Sequence, residues 1–383
     1  MKLQFGVYLL WRYLEKYTDF CTKKLNSIIL PLLLIVSPLK AEITNNTLAV
    51  LVNKNDPESV EIGKYYQASR FIPEHNIIYL EFSDNVNSLT VDEFLQVENQ
   101  LNLQVNSDVQ AYVLAWRKPW RVACMSITSA FALGFNQDYC ASECKTTKLV
   151  KYYKSQSVNP YTDFQIRPAI MLSANSLEGV KELIDRGVAA DYSRPKATAY
   201  LVSTSDKQRN VRALDYPLIK QAFDALINVE LIKADAIKNK PDILFYFTGL
   251  EKIKWIDKNK YLPGALADHL TSTGGHLFNG GQMSVLEWID AGVTGTYGTV
   301  TEPCNYRQKF PNPGILMNNY LSGSNLIESY WKSVQMPGQG LFVGEPLANP
   351  YKGCFQRVSD TNKKVFDEIK PENYILKTSK NCN

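Results

Sequence analysis

The chain has 383 residues, which is enough for one large α/β unit or for two fused lobes. Apolar residues make up 45% and charged residues 21%, and this is an ordinary globular composition. The net charge of +4 is small and evenly spread, so the composition argues against a nucleic-acid partner.

The first forty residues differ in composition from the rest of the chain. Lys23 and Lys24 precede a short apolar run, Ile28–Val36, and the small residue Ala41 follows. This order is typical of a secretory signal, and the run is shorter than the roughly 20 apolar residues that span a bilayer. The pattern predicts a signal over 1–41 and an exported, periplasmic or extracellular chain with no transmembrane span. An uncleaved anchor is the alternative.

Six of the seven cysteines follow the predicted signal. An even number in an oxidising compartment predicts disulfides, here at Cys124, Cys140, Cys144, Cys304, Cys354 and Cys382. We expect a local Cys140–Cys144 bond, a Cys354–Cys382 bond that ties the tail, and a Cys124–Cys304 bond between two loops. Half of a zinc site at Cys140 and Cys144 is the alternative. It lacks further ligands nearby, so neither a metal nor a cofactor is expected.

Residues 42–125 are predicted to form an N-terminal α/β lobe. Asp56 as N-cap and Pro57 in the first turn mark the start of its first helix. The apolar runs and their flanking signals indicate strand Leu48–Val52, helix Ser59–Arg70, strand Asn76–Phe82, helix Val91–Leu103 and strand Val109–Trp116.

A long irregular loop is expected over 126–165, because this segment is rich in Ser, Asn, Gly and Tyr and contains two cysteines. The main α/β lobe is expected over 166–350, and a tail over 351–383. Predicted strands of the main lobe are Ala169–Ser173, Thr198–Val202, Ile243–Phe247, His276–Phe278, Thr296–Val300 and Leu341–Val343. Predicted helices include Val180–Ile184, Ala265–Leu270, Met283–Asp290, Ile315–Leu321 and Leu326–Ser333.

One more helix is predicted from the spacing of Leu218, Ala222, Ala225 and Leu226, which are expected to form its core face. The alternation of strands and helices along the whole chain predicts an α/β fold of two lobes. The sheet is expected to be Rossmann-like and mostly parallel, with helices on both faces.

Ligands of open parallel sheets bind beyond the carboxyl ends of the strands. The residues that follow the predicted strands are therefore candidate ligand-binding residues: Asn53, Thr248, Gly280, Gly281 and Asn305. The two glycines allow close approach of an anion at a helix start. They also fit a tight packing turn, and the full spacing of a dinucleotide or phosphate loop is missing.

Four residues near the same strand ends are candidate catalytic residues, namely Arg121, Gln282, Glu302 and Cys304. Glu302 is either a general base or the ion-pair partner of Arg121 or Arg307. Cys304 is either a nucleophile activated by a histidine or one half of a disulfide.

The three histidines have no evident partner in the sequence. His269 is expected on a helix next to Asp268, and adjacent helical residues do not share a face. It is therefore expected to be a surface or capping residue and not a base beside Cys304.

Most of the predicted mature chain resembles an uncharacterised family of exported bacterial proteins. The resemblance lies in VLVNKNDPESVEIGKYYQASRFIPEHNI and in the segments from FYFTGL to PGQGLFVGEPLANP. It implies export and no established activity.

The order of segments is also similar to that of the gingipain-like cysteine peptidases, which have a caspase-like sheet. FYFTGL occupies the segment of the catalytic histidine, GGHLFNGG that of the catalytic cysteine, and Val343–Pro346 the closing Gly-Asp-Pro motif. Leu250 stands in place of the histidine, and 279–281 in place of the cysteine. The resemblance implies a caspase-like fold that lacks the catalytic dyad.

These observations predict a binding or scaffold protein of the cell envelope without thiol peptidase activity. Its partner would be an unidentified envelope or extracellular ligand in a strand-end cleft. One alternative is an envelope hydrolase that uses Gln282, Glu302 and Cys304, and another is a structural secreted protein without a cleft function.

Overall fold

The structure is a computed structural model that describes residues 43–141, 144–278, 280–353, 355–357 and 376–378. The described residues belong to one compact unit, 42–383. The predicted signal over 1–41 lies outside the described residues.

The described chain alternates between strands and helices. The strands are β1 (Leu48–Asn53), β2 (Ile77–Leu80), β3 (Ser88–Leu89), β4 (Ala111–Leu114), β5 (Arg121–Val122), β6 (Met125–Ser126), β7 (Ala169–Met171), β8 (Thr198–Ser203), β9 (Asn228–Lys233), β10 (Ile243–Thr248), β11 (Tyr261–His269), β12 (Gly295–Thr299), β13 (Gly340–Gly344), β14 (Phe355–Arg357) and β15 (Leu376–Thr378). The helices are α1 (Pro57–Arg70), α2 (Val91–Asn102), α3 (Ile127–Leu133), α4 (Pro160–Phe164), α5 (Leu177–Ala190), α6 (Tyr216–Phe223), α7 (Leu286–Asp290), α8 (Pro313–Leu321) and α9 (Leu326–Trp331).

Ten of these strands form one sheet in the order β2-β1-β4-β7-β13-β12-β11-β10-β8-β9. The strand β13 runs antiparallel to β12 over five residue pairs, and it pairs with β7, in parallel, only at Val343 and Met171. This single residue pair does not establish the relative direction of the two halves of the sheet. The remaining neighbours pair in parallel. The predicted α/β class with a mostly parallel sheet is therefore confirmed, and segments 42–125 and 166–350 both contribute strands to this sheet.

Helices cover both faces of the sheet, as is evident at β10. Adjacent strand residues point to opposite faces. The ring of Phe245 packs against Tyr320 of α8 at 6.0 Å, whereas the ring of Tyr246 packs against Trp288 of α7 at 5.1 Å. Every residue of β10 is buried, as expected for a strand with covered faces.

The amino ends of β1 and β12 lie at the same edge of the sheet, beside Glu345. The helix α1 returns along β1, and Asn45 Nδ2, just before β1, donates to the carbonyl of Phe71 at the end of the helix. Tyr66 and Arg70 in the last turns of α1 therefore lie near the start of that strand. Tyr66 Oη and Arg70 Nε donate to Glu345 Oε1 at 2.7 and 3.0 Å. The Glu345 backbone N–H donates to the carbonyl of Thr294, which directly precedes β12. The carboxyl ends of both flanks therefore share the opposite edge, where ligands of such sheets bind.

The strand β11 corrects two of our predictions. We predicted a helix at Ala265–Leu270, but residues 265–269 belong to β11 and Leu270 follows it. A strand that is buried on both faces has no period to distinguish it from a helix. The predicted strand at His276–Phe278 is a loop. Gly275 N donates to Thr299 O, so this segment crosses the end of β12 instead of extending the sheet.

Three helices, α6, α3 and α4, depart from the predictions. In α6, the core face consists of Tyr216, Ile219 and Phe223, whereas Leu218 is 46% exposed and Leu226 is 40% exposed. The segment 126–165 is not wholly irregular, since it contains α3 and α4. Six of the seven residues of α3 are buried, so no polar face marks it in the sequence.

Candidate functional site

A cleft of about 280 Å³ lies at the carboxyl edge of the sheet. The loop after β8 forms one wall and the loop after β12 forms another. The lining residues are Cys144, Gln208, Arg209, Leu270, Ser272, Glu302, Cys304 and Asn305. Three residues predicted from strand ends, Glu302, Cys304 and Asn305, are therefore brought together here.

The loop after β8 is built around Asp206. Its Oδ1 accepts hydrogen bonds from the backbone N–H groups of Gln208 and Arg209, each at 3.0 Å. Burial alone would raise the pKa of Asp206, but the hydrogen bonds and charge of Arg209, with the hydrogen bond from Gln208, hold the pKa below its ordinary value. The carboxylate is thus kept ionised, and it fixes the turn that carries Arg209.

Gly249, which directly follows β10, contacts the loop after β8 that carries Arg209. A Cβ atom on Gly249 would lie 1.8 Å from the carbonyl oxygen of Arg209, so only glycine allows the two backbones to approach this closely. Thr204 Oγ1 also donates to the Gly249 carbonyl at 2.5 Å. Gly249 therefore has a positioning role for the Arg209 loop.

Two of the three guanidinium nitrogens of Arg209 have fixed partners. Its Nη1 donates to Asp206 Oδ2 at 2.8 Å, and its Nε donates to Thr271 Oγ1 at 3.1 Å. The Thr271 hydroxyl donates in turn to Gln282 Oε1 at 2.8 Å, and Thr273 N donates to the same oxygen. Within the described part of the chain, Nη2 has no hydrogen-bond partner. Gln282 therefore acts on the cleft indirectly, by orienting Thr271.

The loop after β12 holds the carboxylate of the cleft. Glu302 Oε1 accepts a hydrogen bond from Cys304 N at 2.7 Å, and the Glu302 carbonyl accepts one from Gln339 Nε2 at 2.9 Å. We predicted either a general base or an ion pair with Arg121 or Arg307. No ion pair involves Glu302 among the described residues, and Arg307 pairs with Asp215 instead.

Two disulfides join described residues, and their pairing differs from the prediction. Cys124 is bonded to Cys140, and Cys144 to Cys304. The predicted Cys140–Cys144 and Cys124–Cys304 bonds are therefore wrong, although Thr301 Oγ1 does bring the two loops together by donating to Cys124 O. The pairing depends on how the chain folds back, which spacing does not encode. The predicted Cys354–Cys382 bond lies outside the described residues.

The disulfide also decides how Cys304 is interpreted. Its sulfur is bonded to Cys144 and cannot act as a thiolate in this state of the protein. In addition, among the described residues no group of three or more His, Cys, Asp or Glu side chains is arranged to hold a metal ion.

The remaining candidates lie away from the cleft lining. Arg121 lies in β5, and its guanidinium carbon is 5.3 Å from the ring of Trp120. Asn53 is fully buried, and its Nδ2 donates to Phe82 O at 3.2 Å. Thr248 is 1% exposed and ends β10.

Gly280 and Gly281 lie in the loop before α7. A Cβ atom on Gly281 would meet no other atom within 4 Å, so packing does not require glycine there. One on Gly280 would lie 3.2 Å from His276 Cβ. The neighbouring Asn279 lies outside the described residues.

His269 is a buried strand residue, so its predicted place on an exposed helix is wrong. Trp288 Nε1 donates to its Nδ1 at 2.9 Å, and its Nε2 lies 3.2 Å from Met283 O. Burial, with the charges of Arg212 and Arg209, lowers the pKa of His269 to about 4 despite the Met283 hydrogen bond. The neutral ring therefore donates from Nε2, and both nitrogens are occupied in structural hydrogen bonds.

A buried lysine lies behind the Glu302 loop, and the sequence analysis missed it. Lys309 has no exposed surface, and its Nζ has no hydrogen-bond partner in the described residues. Burial lowers the pKa of Lys309 to about 8, although Glu302 opposes this effect. In the sequence, Lys309 follows the polar residues Arg307 and Gln308 and lies between Tyr306 and Phe310, and this mixed pattern does not predict burial.

The fold and the cleft define an α/β protein with a strand-end site that combines one arginine, one carboxylate and a disulfide. Comparison of the chain with protein-family models, curated proteins and solved structures gives no match. Within the described ranges, no helix is both long and apolar enough to cross a membrane. The two disulfides are typical of a protein that matures in an oxidising compartment.

Proposed function

We propose that the protein is exported to the periplasm or the extracellular space and there binds a small polar ligand in the strand-end cleft. The observation that carries this proposal is the held guanidinium of Arg209. Its Nε and Nη1 are fixed by Thr271 and Asp206, and its side chain keeps 23% of its surface exposed. A group that is oriented in advance and still accessible loses little entropy on binding, as ligand sites require.

We further propose that the fold is gingipain-like and lacks thiol peptidase activity. The sequence places 279–281 at the cysteine position, but the strand that follows β10 is β11, so the corresponding residues are 270–272, which also contain no cysteine. Leu250 follows β10 where a histidine would be needed. A cysteine peptidase needs a thiolate within hydrogen-bond reach of an imidazole. The Cys144–Cys304 disulfide and the occupied nitrogens of His269 support a binding role over hydrolysis.

The test is a ligand screen with a matched control variant. The disulfide-intact protein is screened by thermal shift against short peptides, sugars and small organic acids. Each hit is measured again on Arg209→Gln and on Arg117→Gln. Arg117 is the control because its side chain is also 23% exposed and also forms one ion pair, with Glu58 at 2.9 Å.

We expect hits that stabilise the reference and Arg117→Gln proteins but not Arg209→Gln. A parallel hydrolysis assay with the same peptides uses a thiol-alkylating agent. If every hit is lost equally in Arg209→Gln and Arg117→Gln, the cleft is not the binding site. If the protein hydrolyses a peptide and alkylation abolishes this activity, the protein is a thiol peptidase after all.

A further inference from the structure

The cleft contains opposite charges that do not pair with each other. Arg209 and Glu302 both line it, yet no ion pair within 4.0 Å joins them in the described part of the chain. Arg209 instead pairs with Asp206, and Glu302 instead accepts from Cys304 N. Each side chain is therefore held by a partner on its own loop, and both line the same cleft.

Each of the two groups also keeps one unused polar atom. Arg209 Nη2 and Glu302 Oε2 have no hydrogen-bond partner among the described residues, whereas Arg209 Nη1 and Glu302 Oε1 are occupied. Guanidinium nitrogens are good donors to carboxylates, and a carboxylate oxygen is a good acceptor from ammonium groups. The cleft thus offers one donor for an anion and one acceptor for a cation.

A ligand with only one sign of charge fits this arrangement poorly. An anion such as phosphate would gain from Arg209 but would be repelled by Glu302, and a simple cation would meet the reverse situation. A ligand that carries a carboxylate and an ammonium group satisfies both. Leu270 and the Cys144–Cys304 disulfide add apolar surface to the lining of the same cleft.

We infer that the ligand is a zwitterion of amino-acid or short-peptide chemistry, with its carboxylate on Arg209 and its ammonium group on Glu302. The volume of about 280 Å³ suits a ligand of this size, since pockets for drug-sized molecules begin at about 300 Å³. This inference rests on the proposed binding function, and it adds the chemical class of the ligand and the role of each charged residue.

The experiment separates the two charges on both the ligand and the protein. The probes are the dipeptide Ala-Leu, its N-acetyl form without the ammonium group, and its C-terminal amide without the carboxylate. Free leucine serves as a fourth probe that distinguishes an amino acid from a peptide. Binding is measured by calorimetry on the reference, Arg209→Gln, Glu302→Gln and Arg117→Gln proteins.

We expect Ala-Leu or leucine to bind the reference protein, and we expect each capped form to bind about tenfold more weakly or worse, since a charge-assisted hydrogen bond is lost. Arg209→Gln should remove the preference for carboxylate over amide and keep the preference against acetylation. Glu302→Gln should do the opposite, and Arg117→Gln should bind like the reference. This crossed pattern would not arise from a general loss of folding.

The outcomes separate this inference from the proposed function. If the capped and uncapped probes bind the reference equally well but lose affinity in Arg209→Gln, the cleft binds ligands and the zwitterion assignment is overturned. The zwitterion assignment also fails if inorganic phosphate alone binds more tightly than Ala-Leu. If no zwitterion binds while screen hits still require Arg209, only the ligand class is wrong. If no compound requires Arg209, the binding function itself is rejected.

Discussion

Lys309 offers the sharpest test of the energetics around the site. Its ammonium group is buried without a hydrogen bond from the described residues and lies 5.2 Å from the centroid of the Tyr306 ring. Replacement by methionine keeps a similar length and shape and removes the charge. We therefore predict that Lys309→Met stabilises the protein at neutral pH.

The magnitude follows from the pKa of Lys309, which burial lowers from 10.5 to about 8. This difference corresponds to about 3 kcal/mol of unfavourable free energy when the lysine is charged in the folded state. Between pH 8 and 10.5 the unfolded chain binds a proton that the folded chain does not. The free energy of unfolding of the reference protein should therefore rise with pH across this window, and the full penalty applies below pH 8.

The assay is urea unfolding, followed by tryptophan fluorescence with free thiols blocked, at several pH values from 7 to 10. Lys309→Met should exceed the reference most at pH 7, and this advantage should shrink by about 2 to 3 kcal/mol towards pH 10. Lys252→Met, at an exposed lysine, serves as the control and should show no such trend. A difference between Lys309→Met and the reference that is the same at every pH would refute the reasoning.

Three further predictions concern stability. Cys304→Ser should lower the free energy of unfolding by up to about 5 kcal/mol, because the disulfide that it removes closes a loop of 160 residues. Cys124→Ser should lower it by up to about 3 kcal/mol, because its disulfide closes a loop of 16 residues. Urea unfolding without reductant compares the two variants. Between pH 6.5 and pH 4 the unfolded chain binds a proton at His269 and the folded chain does not, so the free energy of unfolding of the reference protein should fall by about 3 kcal/mol on this account as the pH is lowered. His269→Gln should lack this part of the fall, and urea unfolding across the same pH range measures the difference. Glu345→Gln should lower the free energy of unfolding by about 3 to 5 kcal/mol, because the buried guanidinium of Arg70 keeps its charge and loses the negative charge that pairs with it. A smaller loss than in an exposed Glu→Gln control would contradict this prediction.

The sequence predicts best those elements whose burial or capping leaves a local signal. The all-apolar run of β10 and the Asp56–Pro57 start of α1 are both confirmed, with Asp56 accepting from Glu58 N. The predictions fail where burial on all sides removes the periodic alternation of apolar and polar residues, as in β11 and α3. The edge strand β9 was missed because its apolar residues, Val229, Leu231 and Ile232, do not alternate regularly with polar ones, and only Val229 is buried.

The candidate site could be predicted only in part. The residues after each strand include Glu302, Cys304 and Asn305, and these were found because the carboxyl ends do meet at one edge. Arg209 is absent from the predicted site because the candidate residues follow other strands, and none comes from the loop after β8. A weak signal was present in Asp206, three residues before Arg209, since aspartate at that spacing often caps its own turn. The close approach of the Arg209 loop to Gly249 can be recognised only in the folded structure.

The two disulfides leave only three residues, 141–143, between Cys140 and Cys144. Four consecutive peptide steps span at most about 14 Å, and each disulfide adds a Cα–Cα distance of 5.5 Å. The loop after β4 and the loop after β12 therefore remain tethered within about 25 Å even if the sheet between them opens. A single cut by a protease anywhere from residue 145 to residue 303 would also leave both pieces covalently joined. In an environment rich in proteases, the protein would thus keep its strand-end loops together after damage that separates an uncrosslinked chain.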